Sequence, residues 1–133
     1  MSDYTIAERE QCQDWMEGYE GFGEMSSYTA ALDAEQVALT WRTMPPHTGG
    51  RGSYGHRHRD QEEIYLVISG ELTFKVGDDV FKAGPKTAVR VASDAFRSVH
   101  NDRDEPTDVV ICSIKATAGE SETDKQDDFW PED

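Results

Sequence analysis

Residues 50–70 constrain the fold of this chain most, because two histidines at alternate positions lead into a run of strand-forming residues. Side chains two positions apart on a β-strand point to the same face, so an extended segment presents His56 and His58 together. Residues 64–68 are β-branched, aromatic or leucine, which favours a strand, and Gly70 ends the run. The segment therefore predicts a bent, glycine-bounded strand region that offers two imidazoles to one ion.

Glu63 is the carboxylate that we expect to join the two histidines. It follows His58 by five residues, so on an uninterrupted strand it would face the opposite side. The polar run at residues 59–61 is expected to turn the chain and restore the alternation. Two histidines and one carboxylate form the facial triad of non-haem iron oxygenases, which leaves positions open for substrate and oxygen.

The same segment resembles the first motif of the cupin superfamily, G-x5-H-x-H-x(3,4)-E-x6-G, as found in small single-domain bacterial cupins. Every fixed position of that motif is matched, by Gly50, His56, His58, Glu63 and Gly70. The resemblance covers residues 36–115 and implies an all-β fold, a double-stranded β-helix of the jelly-roll or cupin-barrel type, with short N-terminal additions. It also implies that His56, His58 and Glu63 bind a divalent metal such as iron, manganese, zinc or nickel.

A β-hairpin is expected directly after the motif, where the family has a similar one. Leu72, Phe74 and Val76 alternate with polar residues, and the Gly-Asp-Asp sequence at residues 77–79 is typical of a hairpin turn.

The second cupin motif, G-x5-P-x-G-x2-H-x3-N, is matched only in part at residues 91–101. Counting back from Asn101 places Arg97 where the fourth metal-binding histidine of the family belongs. His100 cannot replace that histidine, because an odd shift along a strand turns a side chain to the opposite face. Two interpretations stay open: Arg97 holds an anionic ligand group beside the metal, or Arg97 pairs with Glu63 and occupies the metal position.

The net charge of -14 lies mainly at the two ends of the 133-residue chain. Residues 1–25 and 120–133 each hold seven acidic residues and one basic residue, whereas residues 26–119 hold 13 and 11. We therefore expect an acidic N-terminal segment at 1–25, a cupin barrel at 26–119 and an acidic, disordered tail at 120–133. Phe129 and Trp130 are unusual in such a tail, and docking on a neighbour is the alternative.

Composition also narrows the partners and the location. Acidic ends repel phosphates, so nucleic acid is not an expected partner. The chain has no apolar run long enough to span a membrane and no visible secretory signal, so a cytoplasmic protein is expected. Cys112 lies in the apolar run at residues 109–114 and is expected to be a buried free thiol.

Before the motif, the sequence predicts a short edge strand at residues 2–6, a short helix at 6–16 and strands at 26–32 and 36–44. We expect three aromatic side chains to line the barrel interior, Trp41, Tyr65 and Phe74. Trp41 and Tyr65 then join Arg97 as candidate ligand-binding residues, while Phe74 is assigned to packing.

Two functions of different class stay open. The barrel either binds a small anionic molecule without catalysis, or acts as a metal-dependent oxygenase or isomerase on a small acidic substrate. Fold alone does not choose between them, so no catalytic residue is assigned. The family resemblance further implies a homodimer, for which Ile6 and residues 28–32 are candidate contacts.

Overall fold

The computed structural model describes residues 3–58, 60–115 and 123–131, and nearly all of its regular structure is β-strand. A short 3-10 turn at Arg9–Gln11 precedes the strands. The strands are β1 (Gln13–Asp14), β2 (Glu24–Ser27), β3 (Val37–Met44), β4 (Thr48–Gly49), β5 (Ser53–His58), β6 (Glu63–Ser69), β7 (Leu72–Val76), β8 (Asp79–Ala83), β9 (Ala88–Val91), β10 (Arg97–Asn101), β11 (Thr107–Ile114) and β12 (Thr123–Trp130). No helix in these ranges is long and apolar enough to cross a membrane.

Two antiparallel sheets form the fold. The front sheet has the order β1-β2-β3-β11-β6-β9, and the back sheet has the order β12-β5-β10-β7-β8, with β4 also paired to β10. Neighbours in each sheet are mostly distant in sequence, as in a double-stranded β-helix. The jelly-roll barrel predicted from the sequence is therefore confirmed.

The core fills the space between the two sheets. On β6, Tyr65 and Val67 are buried, whereas the alternate residues of that strand are exposed. The edge of the Tyr65 ring meets Phe74, which stacks on Phe81 with 5.4 Å between ring centroids. Burial of each large apolar side chain contributes about 1.5–3 kcal/mol. These contacts pack β6 of the front sheet against β7 of the back sheet.

The hairpin predicted after Gly70 is present. β7 and β8 pair in register from Leu72 opposite Ala83 to Val76 opposite Asp79. The two-residue turn uses Gly77 at a φ of 58°, a left-handed conformation that suits glycine.

The C-terminal segment corrects one expectation. Residues 123–130 form β12, which pairs antiparallel with β5, so disorder was the wrong prediction for this part of the tail. Phe129 and Trp130 are only 5% and 3% exposed, and they dock on their own barrel. Pairing with a free strand edge and burial of two aromatic rings outweigh the acidic composition. The division into three segments stays a prediction.

The N-terminal expectations were also partly wrong. Instead of a helix at residues 6–16 there is the short 3-10 turn followed by β1, and residues 3–6 are not a strand. The Asp14 carboxylate accepts hydrogen bonds from the backbone N–H groups of Met16 and Met25, both at 2.9 Å, and thereby ties this segment to β2. β2 itself ends at Ser27, because residues 28–32 turn back with Leu32 N–H donating to Tyr28 O.

Candidate functional site

The two motif histidines and Glu63 converge inside the barrel. His56 and His58 both project from β5 toward Glu63 at the start of β6, with Nε2 atoms 3.9 Å and 3.6 Å from Glu63 Oε1. Their potential ligand atoms all lie within 4.8 Å of one another. In the described part of the chain, this is the one group of three such residues close enough to share an ion. This geometry is consistent with the prediction that the chain turns between His58 and Glu63, so that Glu63 faces the two histidines.

Glu63 is held as a carboxylate by its neighbours. Tyr65, two residues along the same face of β6, donates its hydroxyl to Glu63 Oε1 at 2.9 Å. Burial raises the pKa of Glu63, but the Tyr65 hydrogen bond together with the nearby His58 and Arg97 lowers it by more, so the net shift is downward. Burial and the Glu63 charge also raise the pKa of Tyr65 well above its ordinary value, so the phenol stays protonated.

His56 is suited to bind a metal at neutral pH. Burial, followed by the positive charge of Arg97, lowers its pKa to about 4, against the opposing effect of Glu63. A metal binds only the neutral imidazole, so no proton has to leave His56 at pH 7.

Arg97 faces the same group from β10. It lies directly opposite His56 in the β5–β10 pairing, is 0% exposed, and places Nε 3.6 Å from Glu63 Oε1. Its Nη1 and Nη2 groups donate to the carbonyl oxygens of Ser93 and Ala92 at 3.4 Å and 3.2 Å. Among the described residues, Nε has no hydrogen-bond acceptor. The guanidinium is thus charged, buried and incompletely satisfied beside the triad.

A cavity of about 270 Å³ opens next to the triad. His56, Glu63 and Tyr65 lie in its wall together with a larger apolar set. That lining includes Met25, Met44, Tyr54, Val99, Val109 and Ile111, with Ser53, Ser98 and Arg42 as further polar groups. Such a combination of apolar walls and few polar groups is typical of small-molecule sites.

Trp41 does not line this cavity, which corrects the sequence prediction. Arg42 and Met44 of β3 line it, so Trp41 points to the outside of the front sheet. Its indole N–H donates to Thr43 Oγ1 at 3.0 Å on that outer side. Phe74 is fully buried in the core, as expected for packing.

Arg42 is the site residue that the sequence analysis missed. Its Nη1 donates to three carbonyl oxygens, those of Phe22, Glu24 and Thr43, at 2.7–2.9 Å. These bonds hold the guanidinium at the cavity wall. The alternation of side chains along β3 shows that Arg42 and Met44 share one face, but the aromatic character of Trp41 suggested that the other face of the strand points inward.

Several other predicted positions lie outside the cavity, and neither Arg97 nor His58 is among its lining residues. His100 is on the other face of β10, as expected, and accepts a hydrogen bond from the Arg51 backbone N–H at 3.3 Å. Cys112 is a free thiol and is only partly buried. It lies on the outer side of β11, because Val109 and Ile111, at odd-numbered positions of the same strand, face the cavity. On the far side of His58, Thr123 Oγ1 of β12 lies 3.4 Å from Nδ1.

The donor set fits a divalent transition metal. Two imidazoles and one carboxylate are ligands that iron, manganese, zinc and nickel accept. The buried charge of Arg97 opposes the ion, with a repulsion on the order of several kcal/mol at an effective dielectric of about 20. The ligand types therefore suit such a metal, but binding it beside Arg97 requires a further negative charge nearby.

Comparisons with known proteins agree with the fold. The family model described as the Cupin domain matches residues 41–113. Among solved structures, a cupin protein from Bacteroides fragilis has 19% identity and a TM-score of 0.68, covering 89% of each chain. A sugar phosphate isomerase of the cupin superfamily from Silicibacter pomeroyi has 12% identity and a TM-score of 0.67, over 84% of this chain and 76% of that chain.

A variant of oxalate decarboxylase from Bacillus subtilis has 11% identity and a TM-score of 0.72, over 92% of this chain and 32% of that chain. No curated protein matches the sequence significantly. At these identities the structural likeness concerns the fold alone.

Proposed function

This chain belongs to the cupin family, as the match over residues 41–113 shows, and from that premise we propose that its barrel binds a small anionic molecule beside a divalent metal ion. His56, His58 and Glu63 are the proposed metal ligands. Arg97 is the proposed anion-binding residue, and Tyr65 is proposed to contact the bound molecule. The cytoplasmic location stays a prediction from the sequence.

The buried guanidinium of Arg97 is the observation that carries this proposal. Its Nε has no acceptor among the described residues, although the side chain is 0% exposed. Burying a charged donor without an acceptor is costly, so a ligand that accepts from Nε gains more here than at a hydrated surface. A guanidinium fits carboxylate and phosphate groups best.

The charge balance supports the same ligand class. Glu63 supplies one negative charge within 3.9 Å of His56, His58 and Arg97, which cannot neutralise both a divalent ion and a guanidinium. An anionic group in the cavity would reduce the remaining positive charge and the repulsion between metal and Arg97. Metal and anion should therefore bind cooperatively.

The cavity restricts the size and polarity of the ligand. A volume of about 270 Å³ with walls of Met25, Met44, Val109 and Ile111 suits a compact molecule with an apolar body and one acidic group.

The test uses titration calorimetry on metal-free protein. Mn²⁺, Zn²⁺, Ni²⁺ and Fe²⁺ are titrated first, with the double substitution His56→Ala/His58→Ala as the control that should bind none of them. Short monocarboxylates of increasing chain length are then titrated into the metal-loaded protein and into Arg97→Leu. The proposal expects carboxylate binding that depends on Arg97 and that tightens the metal. It is refuted if the wild type binds neither metal nor carboxylate, or if Arg97→Leu binds carboxylates equally well.

A metal-dependent oxygenase or isomerase is the second candidate function. It is favoured by the three-ligand set, because a metal held by three protein ligands keeps positions open for a substrate. When bound, such a metal would supply Lewis-acid or oxygen-activating chemistry. Tyr65, at the cavity wall with its hydroxyl donating to Glu63, would orient that carboxylate as a ligand. Oxygen uptake and isomerisation assays with carboxylates that bind would separate this enzyme from a binding protein.

A further inference from the structure

Arg42 brings a permanent positive charge to the wall of the cavity. Among the described lining residues it is the one arginine or lysine, whereas Arg97 reaches the triad from β10 without lining the cavity. The Arg42 side chain is half-buried, and burial lowers its pKa against the opposing charge of Asp14. A guanidinium stays charged nonetheless, so this partly desolvated cation gains from a negatively charged ligand.

One edge of this guanidinium is fixed by the backbone. Nη1 of Arg42 donates to the carbonyl oxygens of Phe22, Glu24 and Thr43 at 2.7–2.9 Å. Carbonyl groups carry no net charge, so these bonds orient the side chain but leave its positive charge in place.

The other edge of the guanidinium, formed by Nε and Nη2, is called the open edge. In the described part of the chain neither atom makes a hydrogen bond, and Arg42 forms no ion pair. The Glu24 carboxylate on adjacent β2 is bound by Arg9 and by the Ser26 hydroxyl instead. The open edge therefore presents three N–H groups in the geometry that binds both oxygens of a carboxylate.

The strand registers place Arg42 and the triad far apart in the cavity. Arg42 lies opposite Val109 of β11, whereas Glu63 lies opposite Ser113, four residues further along that strand. β11 separates β3 from β6 in the front sheet. On a flat sheet the Cα atoms of Arg42 and Glu63 would be about 16 Å apart, from about 4.8 Å between strands and about 3.3 Å per residue.

Apolar side chains line the space between these two ends. Val109 and Ile111 face the cavity from β11, which lies between the strands of Arg42 and the triad. Met25, directly opposite Arg42 on β2, and Met44 add further apolar surface. The cavity thus has a charged or metal-binding group at each end and a wall between them that favours hydrocarbon.

We propose that the ligand of this cavity carries two acidic groups joined by a short hydrocarbon chain, one at the metal end and the other on the open edge of Arg42. This ligand class rests on the proposed function, which supplies the metal and the first acidic group. Each acidic group then has its own guanidinium, Arg97 beside the triad and Arg42 at the far end. The ligand is accordingly an α,ω-dicarboxylate.

Titration calorimetry on the metal-loaded protein tests the proposal with ligand pairs of equal chain length. The dicarboxylates from glutarate to suberate are compared with the monocarboxylates of the same carbon number. Adipate is also compared with its monoamide, which removes one charge at nearly constant size. At least one dicarboxylate should bind the wild type about tenfold or more tightly than its monocarboxylate partner, because a second charge-assisted contact forms.

Two substitutions of Arg42 assign this advantage to the open edge. Arg42→Leu should reduce the advantage to less than about threefold, since the second acidic group loses its partner. Arg42→Lys keeps a positive charge for the three carbonyl oxygens but lacks the fork, so it should also reduce the advantage. Arg90→Leu is the control, because Arg90 pairs with Glu62 and its side chain is 64% exposed, and it should keep the full advantage.

The outcomes separate this ligand class from the proposed function. Arg97→Leu should weaken both members of each ligand pair, whereas the Arg42 variants should lower the ratio between them. A wild type that binds hexanoate or the monoamide as tightly as adipate would overturn the dicarboxylate proposal and leave the proposed function standing. An advantage that persists in Arg42→Lys and Arg42→Leu would also overturn it, and if Arg42→Leu fails to fold, Arg42→Lys and the monoamide comparison decide. A wild type that binds none of these acids refutes both proposals.

Discussion

Arg97 and Glu63 face each other in the interior of the barrel, with the guanidinium Nε 3.6 Å from the carboxylate Oε1. That distance exceeds a normal hydrogen bond, so the two groups attract by charge without closing a direct contact. His56 and His58 approach the same carboxylate oxygen. A divalent metal would therefore compete with the Arg97 guanidinium for the Glu63 carboxylate, and we expect this competition to set the metal affinity.

Replacing Arg97 by Gln should raise the affinity for divalent metals in the absence of other ligands. Removing a repulsion on the order of several kcal/mol corresponds to a gain of tenfold or more, since about 1.4 kcal/mol is tenfold. Calorimetric titration with Mn²⁺ and Zn²⁺ measures this change. Arg90→Gln removes the same charge at an exposed position and should leave the affinity unaltered. Equal affinities in Arg97→Gln and the wild type would show that the guanidinium does not act on the metal.

Tyr65→Phe should weaken metal binding while the fold persists. The lost hydroxyl orients Glu63 and lowers its pKa, and losing a partner of a metal ligand typically costs about 10–100-fold in metal affinity. The free energy of unfolding should fall by about 1 kcal/mol, as for a buried hydrogen bond. Tyr19→Phe makes the same change at a tyrosine that is 64% exposed and does not line the cavity, and it is the control. If both variants bind metal like the wild type, Tyr65 does not position Glu63.

Phe129→Ala should destabilise the protein by about 3–5 kcal/mol, because β12 loses a buried aromatic ring. Gly55→Ala should also destabilise it, by about 1–3 kcal/mol, since the new Cβ would come within 2.3 Å of Phe129 Cδ2. Urea unfolding measures each variant.

In the double variant, Phe129→Ala removes the ring that Gly55→Ala would strike, so the two costs should sum to less than their separate values. Gly84→Ala is the control, because its Cβ would meet nothing within 4 Å. Additive costs would mean that Phe129 does not pack on Gly55 in solution.

The stability of the protein should fall as the pH drops below about 3.9, the ordinary aspartate pKa. Hydrogen bonds from Arg51, at 2.8 Å and 2.9 Å, and from Thr73, at 2.6 Å, hold the pKa of Asp102 well below that value. The unfolded chain then binds more protons than the folded one, so the contribution is present above this pH and is lost on acidification.

Asp102→Asn should lower the stability at neutral pH and reduce the slope of the acid loss, as measured by urea unfolding at a series of pH values. Asp104→Asn changes a carboxylate that is 94% exposed and should leave the slope near that of the wild type. An unchanged slope in Asp102→Asn would place the acid sensitivity in other carboxylates.

Much of the barrel and the triad could be predicted because the relevant signals are local. Alternation over β6 and β7 and the glycine at the turn between β7 and β8 specify strands and a hairpin within a few residues. That His56 and His58 point to the same side could be predicted because it depends only on one short segment being extended. Counting along the second motif also placed Arg97 correctly beside these residues, since β10 pairs with β5 there.

The phase of β3 could not be predicted in the same way. Alternation tells which side chains share a face, but the inward face is recognised by being the apolar one. Here the outer side of the front sheet is apolar as well, so alternation alone leads to the expectation that Trp41 faces inward. The reverse holds, because Arg42 reaches three carbonyl oxygens near the cavity.

By itself, the sequence determined the strand-rich fold, the hairpin and the convergence of two histidines with a carboxylate, because each depends on period-two geometry within one or two strands. Only the tertiary structure decided which side of β3 faces the cavity, that Arg97 is fully buried, and that residues 123–130 pair with β5. These features depend on hydrogen bonds and side-chain packing between segments that are far apart in the chain. The free energy of such contacts cannot be estimated from a local sequence pattern.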